Sequence, residues 1–118
     1  MSFSELDVRI VPNGKYLLIA PLVWRDMITV PEGFMTDFAS VPRGFRWFIT
    51  GHDETRKPAV LHDYLYSLSA GKRRDADLSF REAMRDTNTP VWKRELAYGA
   101  VRIGGWITWN RYSQEKRQ

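Results

Sequence analysis

An α+β fold is what this sequence predicts, with antiparallel β hairpins over residues 1–50 packed on three C-terminal helices over residues 55–112, in a single domain of 118 residues. Three observations carry that expectation. The first third alternates short apolar runs with turn signals, "NGK" and "PEG" among them. The remainder places apolar residues at helical spacing. Hydrophobic residues make up 43% of the chain and aromatics 14%, so a domain of this size can bury a core of its own.

"LDVRIVP" and "YLLIAPLVW" are strands joined at Asn13-Gly14, because both residues tolerate the positive φ of a tight primed turn. Pro21 interrupts or edges the second strand, since proline cannot donate to a ladder. "DMITVPEGFMTD" suggests a further hairpin turning at Pro31-Glu32-Gly33. "FASVPRGFRWFITG", rich in Pro, Gly and aromatics, is a loop. A helix then runs from about Lys57 to Leu68, with Ala59, Leu61, Tyr64, Leu65 and Leu68 at helical spacing and Gly71 as its stop signal. The next begins at Asp75 or Asp77, has Leu78, Phe80, Ala83 and Met84 as its apolar side, and ends near "DTNTP". Thr89 caps the last helix, with Pro90 at its first position. That helix extends to about Asn110, and Trp92, Leu96, Gly99, Ile103, Trp106 and Ile107 form its expected buried stripe.

Composition excludes several classes of function. There is no cysteine, which rules out disulfides, thiol nucleophiles and thiolate metal sites. The net charge of +4 is spread over mixed-sign segments such as "KRRDAD" and "WKRE", the pattern of solvated helix faces, so specific nucleic-acid binding is not expected. "MSFSELDVRI" has no cationic segment leading into an apolar core and does not read as a secretory signal. "LAYGAVRIGGWITW" is apolar apart from Arg102, but at 14 residues it falls short of the ~20 a bilayer span needs. It reads as a core helix, with membrane contact along its surface the minor option.

Chemistry is concentrated in a few residues. His62 and Asp63 stand side by side in the apolar run "AVLHDYLYSLSA". Adjacent helical residues point about 100° apart, so one of the two is expected to face the β layer and the other a neighbouring helix or solvent. Asp37, between Met35 and Phe38, needs donors if buried, and the hydroxyls of Thr36 and Ser40 are at hand. Its structural alternative is a turn that shapes the exit from the strand. Asp77 is either a carboxylate near a helix start or a neighbour of Tyr66. Thr36, Asp37, Ser40, His62, Asp63, Tyr66 and Asp77 together make a candidate polar cluster. As a metal centre, Asp37, His62 and Asp77 would hold a divalent ion such as zinc, and as a catalytic set Asp37, His62 and Asp63 would supply acid and base. With only His52 and His62 in the chain, a three-histidine site is impossible.

The blocks "FMTDFASVPRGFRWF", "AVLHDYLY", "RRDADLSFREAM" and "PVWKRELAYGAVRIGGW", in this order, resemble a family of small phage and prophage proteins defined as a domain of unknown function, number 1353. The resemblance covers the chain from about Phe34 to Trp106. It rests on Thr36, Asp37, Ala39, Ser40, Val41 and Pro42, on His62, Asp63, Leu65 and Tyr66, and on Ala76, Asp77, Phe80, Ala83 and Met84. It implies a phage origin, with a place in the host cytoplasm or the virion, and it delivers no activity. The leading expectation is a non-enzymatic virion component, of tail or baseplate, or an assembly component. It would meet phage structural or assembly proteins through exposed aromatics drawn from Trp24, Trp47, Trp92, Trp106 and Trp109. The alternative is a metal-dependent hydrolase of the peptidoglycan-peptidase kind, built on the His/Asp site.

Overall fold

The computed structural model describes residues 3–37 and 53–116, and the loop positions Ser40, Trp47 and His52 lie outside them. Five short strands come first: β1 (Val8–Ile10), β2 (Tyr16–Leu18), β3 (Leu22–Trp24), β4 (Ile28–Val30) and β5 (Met35–Thr36). Four helices follow: α1 (Asp53–Leu68), α2 (Arg73–Asp86), α3 (Val91–Gly104) and α4 (Trp106–Lys116). The α+β arrangement is as expected, with four helices among the described residues in place of three.

The strands make two small antiparallel sheets, β1-β2-β5 and β3-β4. β1 and β2 turn at Asn13-Gly14, but only Gly14 takes positive φ (81°). The Gly14 amide donates to the Val11 carbonyl at 2.9 Å, which puts Pro12 and Asn13 at the turn's centre. This is the three-residue hairpin loop, a type I turn closed by a left-handed glycine, and Pro12 with its fixed φ is suited to it. Pro21 lies at the point where the chain leaves one sheet for the other.

The expected hairpin across Pro31-Glu32-Gly33 does not form. Gly33 does turn the chain (φ 90°), but β4 pairs back to β3 while β5 pairs with β2. The turn that makes the β3–β4 hairpin is Arg25-Asp26, both at positive φ (53° and 55°) without a glycine. Such a turn costs on the order of 1 kcal/mol per non-glycine residue. It is offset by what Arg25 gains there. Its guanidinium donates twice to Asp86, from Nε at 2.6 Å and Nη2 at 2.7 Å, and it lies 4.8 Å over the Trp24 ring. The Trp24 indole donates to the same carboxylate at 2.8 Å, so the hairpin is pinned to the end of α2.

The core lies between sheets and helices. Leu18, Leu22, Trp24 and Val30 meet Ala59, Val60 and Leu61 of α1, Phe80, Ala83 and Met84 of α2, and Ala97 and Val101 of α3. Burying a large apolar side chain of this kind contributes about 1.5–3 kcal/mol. α2 starts at Arg73, before the expected Asp75 or Asp77, so Asp77 sits past its first turn. Thr89 does not cap α3. Pro90 is the N-cap, and the Thr89 amide donates to Met84 at the end of α2.

The last helix differs most from expectation. It is interrupted locally at Gly105, where α3 gives way to α4 while Gly105 keeps helical φ and ψ (−70° and −17°) and its amide still bonds to the Val101 carbonyl. Its supposed buried stripe faces outward. Trp92 is 57% exposed, Leu96 50%, Ile103 81%, Trp106 53% and Ile107 61%. The side toward the core is Ala97 and Val101. The helix carries apolar residues on two faces, and periodicity cannot choose between them. Small residues let α3 approach closely, and the polar contacts of Arg102 described below fix its rotation.

Candidate functional site

α1 presents His62 and Asp63 to different neighbours, as their separation of about 100° allows. Asp63 faces the β layer, where the hydroxyl of Thr36 on β5 donates to it at 2.7 Å. His62 faces α2, with Nε2 2.7 Å from Asp77 Oδ1. All four side chains are sealed from solvent.

Asp77 is the hub of the second set. Tyr66, one turn after His62 on α1, donates its hydroxyl to the same Oδ1 at 2.6 Å. Oδ2 accepts from Arg102 of α3 at 2.7 Å and from Arg73, four residues back on α2, at 3.3 Å. Arg73 also donates to the carbonyls of Val101 (2.9 Å) and Arg102 (3.1 Å). One carboxylate therefore ties α1, α2 and α3 together. The His62 ring is held between Tyr66 and Phe80, with centroids 4.2 and 4.6 Å away.

The electrostatics follow from this shell. Burial pushes the Asp77 carboxyl up, but the hydrogen bonds from His62 and Tyr66, the charge of His62 when protonated, and Arg102 outweigh it, leaving Asp77 below the usual carboxylate range. An ionised carboxylate only accepts, so Nε2 of His62 carries a hydrogen. Burial, then the adjacent carboxylate, drives the Tyr66 hydroxyl well above the ordinary phenol range, and it stays a donor.

Asp37 does not join this set. It borders a separate cleft of about 320 Å³ with Lys15, Met35, Arg111, Tyr112 and Glu115. The Tyr112 hydroxyl is pushed up to about 12 by burial and then by the charges of Asp63 and Asp37. The expected single cluster is thus divided: His62, Tyr66 and Asp77 form one set, Thr36 and Asp63 another, and Asp37 stands at the cleft. Ser40 lies outside the described residues. The triad Asp37, His62 and Asp77 is not assembled, and no group of three or more His, Asp or Glu among the described residues could hold a metal ion.

The residues that sequence reasoning missed are Arg73 and Arg102. Both left a signal. Arg73 stands four residues before Asp77, the spacing of a helical ion pair. Arg102 is the only charge in a long apolar run, and a charge so placed needs a partner.

The first set is suited to holding helices in register. A donor-filled, water-excluded carboxylate offers no open position to a substrate. Thr36→Val removes the donor that joins β5 to α1 and should destabilise the fold by about 1–3 kcal/mol, measured by urea unfolding.

A family model described as a protein of unknown function (DUF1353) matches residues 17–101, well over half of the chain. No curated protein and no solved structure matches it significantly.

Proposed function

The chain belongs to the DUF1353 family of unknown function, and from that premise we propose that it is a non-enzymatic phage protein, a virion or assembly component that works by protein–protein contact. The phage setting is what the resemblance of the four sequence blocks implies. The mode of action rests on one observation: Trp92, Leu96, Ile103, Trp106 and Ile107 are each at least half exposed along the outer side of α3 and α4. Monomeric proteins rarely leave so much large apolar surface contiguous, and Trp is a favoured interface anchor. Of the tryptophans expected to serve this way, Trp92 and Trp106 are available, whereas Trp24 is buried and bonded to Asp86.

The hydrolase alternative finds less support. His62, Asp63 and Asp77 have no exposed surface, and Asp77 already accepts from four side chains. The contact reading is tested on virions of the phage that encodes the protein. Peptides of the chain should be recovered from purified particles. Trp92→Ser with Ile103→Ser should lower incorporation at least tenfold while leaving the melting temperature within a few degrees. Absence from particles and from assembly intermediates, or incorporation indifferent to the double substitution, overturns it.

A further inference from the structure

We infer that the occupant of the α3–α4 face is a second copy of this chain, docked antiparallel about Gly99. The inference rests on the contact reading above and names its partner. Its basis is the order of residues along the face. Trp92, Leu96, Gly99, Ile103 and Trp106 follow one another at gaps of four, three, four and three residues. That is the spacing of a seam that packs against another helix.

The seam is also self-complementary. Trp92 and Trp106 lie seven residues to either side of Gly99, and Leu96 and Ile103 lie three before and four after it. A two-fold axis at Gly99 therefore sets Trp92 against Trp106 of the second copy, Leu96 against Ile103, and Gly99 against itself. An isologous interface demands such a patch, in which each residue meets the counterpart of its own partner. Gly99 suits the crossing point, since a Cβ built there meets nothing within 4 Å and the backbone lies open to close approach.

Charge agrees with this register. Glu95 and Arg102 lie four before and three after Gly99, so the axis brings each beside its opposite in the other copy. Glu95 is held by Arg81 and Arg102 by Asp77, yet their side chains remain 41% and 32% exposed. The area is adequate too. At roughly 200 Å² per large side chain, the exposed fractions of the five apolar residues amount to on the order of 600 Å² per copy. Two copies then bury about 1,200 Å², the lower bound for a specific interface.

The full chain at tens of micromolar should sediment at twice 13.8 kDa. Leu96→Lys and Ile103→Glu should each give a monomer, and the two together in one chain should restore the dimer, because each lysine then faces a glutamate. The chain has no cysteine, so Gly99→Cys should form a disulfide dimer on mild oxidation, with Met27→Cys, on the exposed β3–β4 turn, as the slower control. A monomeric wild type, a double variant that stays monomeric, or Gly99→Cys crosslinking no faster than Met27→Cys overturns the inference. So does a monomer that binds anionic vesicles through Ile103. A monomer whose virion incorporation still depends on Trp92 and Ile103 rejects the second copy alone. A dimer whose incorporation ignores them rejects the virion reading alone.

Discussion

Asp77→Asn should lower the stability of the fold by about 3–5 kcal/mol, the cost of breaking a buried ion pair from one side. The amide keeps the shape of the carboxylate but not its charge. Arg73 and Arg102 are then left facing a neutral group, and the amide nitrogen puts a donor where His62, Tyr66 or an arginine already donates. A domain of this size has about 5–15 kcal/mol in total, so the loss is a large share of it. The melting temperature should fall by roughly 10–20 °C. The effect carries its own pH signature. Asp77 titrates below its ordinary range in the folded chain, so its contribution is complete above the unfolded value of about 4 and is lost as pH falls through the folded one. The gap between wild type and Asp77→Asn should therefore be widest near neutrality and shrink as pH falls below about 4. Urea midpoints for both proteins across that range measure it. A gap that is small at neutrality, or constant down to low pH, shows that the carboxylate does not hold the helices together.

Gly105→Ala should destabilise by about 3 kcal/mol, at the upper end of overpacking. Helix propensity alone gives the opposite sign, a gain of up to about 1 kcal/mol, so the direction of the change decides between the two accounts. Gly105 has helical φ and ψ, and its amide continues the ladder to Val101 at 2.8 Å. What forbids a side chain is the network beneath it. An added Cβ runs into the Tyr66 hydroxyl, lies 2.5 Å from the Val101 carbonyl and comes within 3.2 Å of Arg73 Nη1. The Tyr66 hydroxyl and Arg73 are held by Asp77 and the Val101 carbonyl is backbone bonded to Arg73, so these atoms cannot give way without loosening the network. Tyr66→Phe removes one of the clashing atoms. In the Gly105→Ala background it should cost much less than it does alone, a coupling that thermal melts of the four-protein cycle can read. Additive effects would separate Gly105 from the network.

Much of this site was legible in the chain. His62 and Tyr66 stand out as polar residues in an apolar run, whereas Asp77 sits in the charged stretch "KRRDAD", and the angle between successive helical side chains sends His62 and Asp63 to different layers. Both inferences are local and need only helix geometry. Their partners are less so. The sequence offers Asp37 and Asp77 as candidates for His62, and nothing in the chain excludes Asp37. The choice is made where α2 lies against α1, with Asp77 turned inward and Asp37 left at the cleft by Tyr112.

The strands teach the same distinction. Turn residues announce where the chain bends, and Gly14 and Gly33 both turn it. They do not announce which strands pair, because pairing depends on what each face can bury and on anchors such as Arg25 on Asp86. The sequence by itself determined the α+β class, the order of elements and the polar residues that a core must satisfy, since these follow from spacing and from the cost of burying charge. Only the tertiary structure decided which face of α3 is inside. That helix is apolar on two sides, and the balance was tipped by a contact from outside it: Arg102 reaching Asp77 while Ala97 and Val101 close on the core. The tryptophans and isoleucines that hydropathy would bury are thereby turned outward.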